Sequence, residues 1–278
     1  MSLPKRSRGQ ALTVGILQFC PVLGDVEANL EQIEHFLRRR RFDLAVLPEL
    51  ATTGYNFIDR RALRRVAEPI PGPSSAFFER LAVKTGGAII WGLAELSGSK
   101  IYNTAVMTIP DGCHYRYRKT HLFFREKKLF DPGDTGFNVF TWRGTAIGLM
   151  ICFDWIFPEA ARTLTLRGAQ LICHPSNLIL PFCPEAMVTR SLENKVFCLT
   201  ANRTGTEKRA GQSLTFTGFS QVIDPGGRRS LRFTGTEQGF KTVKIIPRLA
   251  DTKKVNRFND VLGDRRTEFY TLLPGKMT

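Results

Sequence analysis

The chain has 278 residues and a formal net charge of +15, from 40 Lys and Arg against 25 Asp and Glu. A hydrophobic content of 42% and a charged content of 23% are typical of a folded globular protein and exclude a disordered chain. No apolar run approaches the roughly 18 residues that a membrane-spanning helix requires. Because the first ten residues also lack a signal-peptide pattern, we expect a cytoplasmic protein with no membrane partner.

The first half of the chain alternates apolar, strand-like segments with segments of helical periodicity. Leu30, Ile33 and Leu37 recur at helical spacing after Asp25, a residue suited to an N-cap. In chain order, we predict a strand over 12–19, a helix over 26–40, a strand over 42–47, a helix over 74–85 and a strand over 87–94.

Two β-hairpins are predicted next, from the residues that join their strands. A Pro-Asp-Gly sequence marks the first turn and an Arg-Gly sequence marks the second, and Asp-Gly is a strong hairpin signal. The paired strands are predicted over 102–109 and 113–117, and over 138–142 and 145–151.

The alternation continues in the second half and indicates the fold class. We predict a helix over 158–167, a strand over 170–174, a helix over 184–194, a strand over 196–201 and strands near 220–223 and 239–246. Without a repeat or a linker, this pattern indicates a single α/β domain over 1–278, with helices outside and mostly parallel or mixed sheets inside. Residues 1–10 are expected to be flexible, and 247–278 to form a C-terminal tail.

Cysteine spacing and charge distribution argue against several classes of protein. The six cysteines include no Cys-x-x-Cys pair and fit neither a disulfide scaffold nor a zinc site. We expect neither a metal nor an organic cofactor. Groups of basic residues, such as the four arginines at 38–41, are scattered along the chain, and no recognised DNA- or RNA-binding motif accompanies them. Nucleic-acid binding stays an alternative that we do not expect as the main function.

Three reactive side chains follow predicted strands, namely Glu49, Lys119 and Cys152. Taken singly, each has an ordinary explanation, as a turn carboxylate, a solvated lysine and a buried inert thiol. Taken together, they supply a base, an electrophile and a nucleophile at strand ends, where ligands collect in α/β sheets. A thiol is a strong nucleophile only as a thiolate, so it needs such a base or cation nearby.

The sequence around these three residues resembles that of the carbon–nitrogen hydrolases of the nitrilase superfamily. Residues 47–55 (LPELATTGY) are similar to the family's first block, 117–122 (YRKTHL) to its second and 148–154 (GLMICFD) to its third. Flanking agreement extends the resemblance over almost the whole chain. The resemblance implies a four-layer α-β-β-α sandwich of two mixed sheets flanked by helices.

The resemblance also implies a role for each reactive residue. Glu49 corresponds to the general base, Lys119 to the residue that stabilises the oxyanion and Cys152 to the nucleophile. Glu126 corresponds to a second active-site carboxylate that orients the lysine and the substrate, and the alternative is one more surface glutamate in a charged loop. Many members have Tyr after the nucleophile where this chain has Phe153, but the oxyanion hole needs only that residue's backbone N–H.

The expected reaction is hydrolysis of a small, mostly neutral amide through a thioester, with release of ammonia. A small aliphatic nitrile or an N-carbamoyl compound is the alternative substrate, because these branches share the catalytic residues. Tyr55, Phe123, Phe153 and Asn177 are expected to contact the substrate. An inactive interaction protein with the same fold stays an open alternative. Because the family commonly forms dimers, we expect a homodimer or a higher homo-oligomer with the C-terminal tail at its interface.

Overall fold

The computed structural model describes residues 10–209 and 211–270, which form fourteen strands, six α-helices and three 3₁₀ helices. The strands are β1 (Leu12–Gln18), β2 (Leu44–Val46), β3 (Ala88–Ser97), β4 (Lys100–Thr108), β5 (His114–Arg118), β6 (Val139–Trp142), β7 (Thr145–Leu149), β8 (Leu171–Ser176), β9 (Phe197–Asn202), β10 (Thr206–Arg209), β11 (Gln212–Thr215), β12 (Gln221–Ile223), β13 (Arg229–Arg232) and β14 (Gly239–Ile245). The α-helices are α1 (Val26–Leu37), α2 (Arg60–Arg64), α3 (Pro73–Thr85), α4 (Glu126–Leu129), α5 (Pro158–Leu166) and α6 (Cys183–Asn194). The 3₁₀ helices span Cys152–Ile156, Pro247–Ala250 and Thr267–Phe269.

Two six-stranded mixed sheets are built on the same plan. Their strand orders are β14-β1-β2-β3-β4-β5 and β13-β12-β9-β8-β7-β6, and β10 and β11 form a separate hairpin. In each sheet three neighbouring strands are parallel, β1-β2-β3 and β7-β8-β9, and the strands beside them are antiparallel. The parallel strands therefore present their carboxyl ends together at one edge of each sheet.

The two sheets pack face to face because their central strands are apolar on both sides. Val46 of β2 and Ile90 of β3 share a core cluster with Ile147 of β7 and Leu171 of β8, and all four are fully buried. Burying one such side chain contributes about 1.5–3 kcal/mol. The layer between the sheets thus holds them in a fixed relation.

Helices cover the outer face of each sheet. Trp91, which points away from the second sheet, packs with Ile33 of α1 and stacks on Phe78 of α3 with ring centroids 4.2 Å apart. On the other side of the molecule, the side chain of Leu164 on α5 lies directly over Gly148 of β7. The order helix, sheet, sheet, helix confirms the predicted four-layer α-β-β-α sandwich.

Most predicted elements occur in the structure. The Asp25 side chain accepts a hydrogen bond from the Ala28 N–H at 3.0 Å as the N-cap of α1, which ends at Leu37 rather than at residue 40. Arg143 (φ 47°) and Gly144 (φ 70°) adopt the left-handed conformation that a two-residue hairpin requires. The sequence does not predict β10, β11 and β13, because each is four residues long and contains at most one apolar side chain.

The ends of the chain are only partly described. Residues 1–9, which are most of the segment 1–10 that the sequence predicts to be flexible, lie outside the described residues. The predicted tail is described up to residue 270 and contains two of the 3₁₀ helices. Residues 271–278 of that tail lie outside the described part.

A close backbone contact supports the loop that follows β2. A Cβ atom added to Gly92 of β3 would lie 2.4 Å from the backbone nitrogen of Leu50 and 2.9 Å from the Cα of Glu49. The Gly92 carbonyl also accepts a hydrogen bond from the Thr52 N–H at 3.3 Å. A glycine at this point of β3 therefore lets the loop that carries Glu49 rest directly on the sheet.

Candidate active site

The three candidate catalytic residues follow strands of both sheets. Glu49 lies beyond the end of β2 and Lys119 directly after β5, both in the first sheet, whereas Cys152 lies beyond the end of β7 in the second. The structure brings Glu49, Lys119 and Glu126 into direct contact and places the Cys152 thiol within range of all three charges. The site therefore lies where the two sheets meet.

Lys119 is a completely buried cation between two carboxylates. Its Nζ donates to Oε1 of Glu49 at 2.7 Å and lies 2.9 and 2.8 Å from Oε1 and Oε2 of Glu126. Burial by itself lowers the pKa of a lysine, but the charges of Glu126 and Glu49 outweigh it and raise the pKa of Lys119 well above its ordinary value of 10.5. The ammonium group therefore keeps its charge at neutral pH.

Glu49 has one engaged and one free carboxylate oxygen. Oε1 accepts a second hydrogen bond from Nδ2 of Asn103 at 2.7 Å. The buried Oε2 has no hydrogen-bond partner among the described residues. Burial raises the pKa of Glu49 and the charge of Lys119 lowers it, and the net pKa lies above the ordinary value of 4.5. Glu49 thus offers one oxygen to a proton that arrives from inside the pocket.

Cys152 occupies a sharp turn between β7 and a 3₁₀ helix. Its φ of 41° lies in the left-handed region, which is unfavourable for a residue with a side chain. Nε2 of the buried His174 lies 2.9 Å from the Cys152 carbonyl oxygen, which accepts only, so this nitrogen carries the proton. Burial lowers the pKa of His174 to about 4, so the ring is a neutral donor that holds the turn.

The Cys152 thiol is protonated in the free protein. Burial raises its pKa, the charge of Glu49 raises it further, and the charge of Lys119 and a hydrogen bond with the Asn177 backbone lower it. The net pKa lies well above the ordinary value of 9.0. The sulfur therefore becomes nucleophilic only when a neighbouring group takes its proton.

A buried carboxylate ties the two sides of the site together. Asp154 accepts hydrogen bonds from the Ile151 N–H at 2.8 Å and the Tyr117 hydroxyl at 2.7 Å on Oδ2. Its Oδ1 lies 3.2 Å from the backbone nitrogen and 2.7 Å from Nδ1 of His121. Asp154 therefore fixes the turn before Cys152 against the segment that carries Lys119. Asp154 lies within the third block, but the sequence alone predicts no role for it.

Another buried carboxylate, that of Glu207 on β10, positions the loop that carries Tyr55. It accepts hydrogen bonds from the backbone N–H groups of Tyr55, at 3.2 Å, and of Asn56, at 2.6 Å, and it pairs with the fully buried Arg203. The Tyr55 hydroxyl then donates to Oε1 of Glu126 at 2.7 Å. Sequence reasoning missed Glu207, because nothing in a polar, charged strand marks it as a partner of a loop 150 residues earlier.

A cleft with about 250 Å³ of empty space opens beside Cys152. Of the four residues predicted to contact the substrate, Phe123, Phe153 and Asn177 line it. Tyr55 lines a neighbouring cleft of about 310 Å³ together with Glu126, and its hydroxyl is engaged there. Both side-chain polar atoms of the buried Asn177 lack a hydrogen-bond partner in the described part of the chain. Such a group is costly to leave unpaired, which makes it a candidate for contact with a ligand.

A metal-binding cluster and a membrane-spanning helix are both absent from the described residues. Within residues 10–209 and 211–270, no group of three or more His, Cys, Asp or Glu side chains is arranged to hold a metal ion. Over the same ranges, no helix is both long enough and apolar enough to cross a membrane.

Comparison with known proteins identifies the family. The model of the carbon–nitrogen hydrolase family matches residues 13–253, and the chain belongs to this family. It is 41% identical to a nitrilase from Pyrococcus abyssi, in a match that covers 92% of this chain and 98% of the relative. It is 34% identical to an (R)-stereoselective amidase from a Pseudomonas species, with 85% and 82% covered. The protein is therefore an enzyme of the carbon–nitrogen hydrolase family, of the amidase or nitrilase type.

Solved structures agree with this assignment. An amidase from a Nesterenkonia species superposes with a TM-score of 0.78 at 26% identity, over 97% of this chain and 98% of the other. A mutant of that amidase has been solved with the acetamide moiety of fluoroacetamide added covalently at its active-site cysteine. The predicted resemblance to the nitrilase superfamily is thus confirmed.

Replacing the carboxylate that bridges the two loops is expected to affect both stability and the thiol. In Asp154→Asn, the amide nitrogen faces hydrogen-bond donors, so we expect the free energy of unfolding to fall by about 1–3 kcal/mol. We also expect slower alkylation of Cys152 by the general thiol reagent iodoacetamide, followed by mass spectrometry. Asp59→Asn is the matched control, because Asp59 is an exposed N-cap and asparagine caps equally well. An unchanged rate in a destabilised Asp154→Asn protein would mean that Asp154 serves the fold alone.

Proposed function

We propose that the protein hydrolyses the carbon–nitrogen bond of a small amide through a thioester on Cys152 and releases ammonia. The observation that carries the proposal is the buried Lys119, held charged between Glu49 and Glu126 and within electrostatic range of a buried thiol. This arrangement supplies a base, a fixed positive charge and a nucleophile in one water-poor pocket.

In the first step, Oε2 of Glu49 accepts the thiol proton as the sulfur of Cys152 attacks the carbonyl carbon. The C–S bond forms, and the π electrons of the carbonyl move onto its oxygen. Lys119 and the backbone N–H of Phe153 stabilise the resulting oxyanion, and the loss of one such donor typically costs about 10²–10³ in rate. The free Oε2 supports this step, because a base already bonded at both oxygens would have to break a contact first.

In the second step, the carbon–nitrogen bond breaks and the electron pair leaves with nitrogen. Glu49 returns its proton to the departing nitrogen, so ammonia is released and the acyl group stays on sulfur as a thioester. A water molecule, deprotonated by Glu49, then attacks the thioester carbon. The carbon–sulfur bond breaks, the sulfur regains a proton, and the carboxylic acid leaves.

Asn177 is the residue that we propose to orient the scissile amide. Its carboxamide offers one unpaired donor and one unpaired acceptor beside Cys152, and a primary amide is complementary to both. Phe123 and Phe153 would pack against the rest of the substrate, because both line the same cleft.

Nitrile hydrolysis is a second candidate, favoured by the 41% identity with the Pyrococcus abyssi nitrilase. The same residues serve both reactions, since sulfur can attack a nitrile carbon and Lys119 can stabilise a developing negative nitrogen. Ammonia release across small nitriles, ω-amides and carbamoyl compounds separates these reactions. The highest kcat/KM on a nitrile would make nitrilase the better description.

Removing the proposed nucleophile is expected to abolish turnover without loss of the fold. We expect Cys152→Ala to keep its circular dichroism spectrum and to lose about 10⁴-fold or more in ammonia release. Cys113→Ala is the matched control, because Cys113 is an exposed thiol in a hairpin turn. Substantial turnover by Cys152→Ala would refute Cys152 as the nucleophile. Absence of turnover by the unaltered protein on every amide and nitrile would instead favour the alternatives of an inactive interaction protein or a nucleic-acid-binding protein.

The proposed base predicts how activity depends on pH. Glu49 must be ionised to take the thiol proton, and burial raises its pKa, so kcat/KM should fall on the acid side with a midpoint above 4.5. Lys119 stays charged throughout this range. The measurement uses an amide without ionisable groups, and Glu34→Gln serves as a control because Glu34 is a surface carboxylate. A midpoint at or below 4.5 would contradict Glu49 as the base.

We also propose that two copies pair through the C-terminal tail. Large apolar side chains are exposed along it, including Leu249 (57%), Val255 (60%), Phe258 (76%), Phe269 (69%) and Tyr270 (57%). Exposed apolar clusters of this kind typically mark interfaces.

The expected result is sedimentation at twice the chain mass of 31.3 kDa or more. Phe258→Glu should shift the protein toward the monomer, because it places a charge in the apolar interface. Phe124→Glu is the control, since Phe124 is similarly exposed but lies outside the tail. A wild-type protein that sediments as a monomer at micromolar concentration would contradict the pairing.

A further inference from the structure

We propose that the cleft beside Cys152 is an acyl pocket for uncharged, apolar groups. The protein would then prefer small aliphatic or aromatic amides to amides whose acyl group carries a carboxylate or an amine. This inference rests on the proposed function, because it concerns the part of the substrate that stays on sulfur as the thioester. The inference adds the chemical class of this acyl group to the proposed function.

One wall of the cleft is an apolar segment held rigidly in place. The segment Leu178–Leu180 follows β8 and lines the cleft. The Leu178 N–H donates to Oδ1 of Asn202 at 2.9 Å, and its carbonyl accepts from the Thr217 N–H at 2.9 Å. Because both backbone groups of Leu178 are engaged, this residue cannot turn its carbonyl or N–H toward a charged ligand.

The facing wall is aromatic. Phe123 and Phe153 lie against each other with ring centroids 4.9 Å apart, and Trp155 lines the same cleft. The enclosed space of the cleft is small, which restricts it to a small acyl group. Apolar walls on both sides favour burial of hydrocarbon.

Among the described residues, no lysine or arginine lines the cleft to pair with an acyl carboxylate. Arg125 and Arg190, which follow lining segments in the chain, are engaged elsewhere. Arg190 donates to the Trp155 carbonyl at 3.2 Å and to Glu193 at 3.0 Å, and Arg125 donates to the Ile58 carbonyl at 3.1 Å and to Gln212. At the reacting end, the two carboxylates outnumber the single ammonium of Lys119. An anionic acyl group would therefore be desolvated and repelled.

A cationic acyl group is disfavoured for a related reason. The described side chains that line the cleft carry no charge. The two carboxylates of the site, Glu49 and Glu126, already bind Lys119, and Glu126 also accepts from Tyr55. An ammonium in the cleft would lose its water and would have to compete with Lys119 for these carboxylates.

The test compares two near-isosteric pairs of primary amides. Isovaleramide and malonamate differ in an isopropyl group against a carboxylate, and butanamide and 3-aminopropanamide differ in a methyl group against an ammonium. We expect kcat/KM for ammonia release at neutral pH to be about 100-fold higher for the neutral member of each pair. Equal or faster turnover of malonamate or 3-aminopropanamide overturns the apolar acyl pocket while leaving the hydrolase function in place.

A charge placed in the wall tests the location of the pocket. Leu180 is 43% exposed at the mouth, so Leu180→Arg should fold, raise kcat/KM for malonamate about 10-fold and leave 3-aminopropanamide no better. Leu166→Arg, at a 49% exposed position on α5, is the matched control and should change neither ratio. An unchanged malonamate ratio in Leu180→Arg places the acyl group elsewhere and overturns the inference. Absence of ammonia release from all four amides also overturns the inference. If the broader panel of amides and nitriles releases no ammonia either, the proposed function itself is refuted.

Discussion

The rest of the site depends on one constraint, which is that the Lys119 ammonium is buried away from solvent. An isolated ammonium in a protein interior would lose its proton, because desolvation penalises the charged form. Here two carboxylates within 2.9 Å reverse that tendency and keep the group charged. The three groups are stable only together, since removal of one partner from a buried ion pair leaves an uncompensated charge that typically costs about 3–5 kcal/mol. Glu126 is therefore as necessary to the arrangement as Glu49, although it begins a short helix and does not follow the end of a strand.

The same electrostatics explain why the thiol rests in its protonated form. A preformed thiolate beside Glu49 and Glu126 would add a third negative charge to a pocket with one cation. Transfer of the proton to Glu49 moves negative charge from oxygen to sulfur without creating any, so the number of charges in the pocket is conserved. The reaction that we propose is compatible with deep burial for this reason, because each step shifts charge between groups already in the pocket or onto an oxygen that faces Lys119.

The sequence predicts the parts of the molecule that local patterns determine. Continuous apolar runs predict the central strands, Asp25 predicts the start of α1, and Arg143-Gly144 predicts a hairpin. The three blocks identify the reactive residues, but their contacts depend on pairings that no local pattern contains, such as β14 beside β1 across more than 200 residues. Glu207 illustrates the limit, because a glutamate in a polar strand has no signature until the fold places it against the backbone of Tyr55. The contact between the Tyr55 hydroxyl and Glu126 likewise has no local signature, and contact of Tyr55 with the substrate stays a prediction.

The division of the site between two sheets makes its geometry a property of the whole sandwich. Glu49 and Lys119 belong to the first sheet and Cys152 to the second, so the distance from the proposed base to the proposed nucleophile is set by how the apolar layer packs between them. Displacements of about 1 Å can cost 10²-fold in rate, and close-packed interiors resist such displacements. Asp154 adds a direct polar tie, because it bonds the turn of Cys152 to the segment of Lys119 across the junction. The core and Asp154 therefore both fix the same distance, which separates the sulfur of Cys152 from Glu49, its proposed proton acceptor.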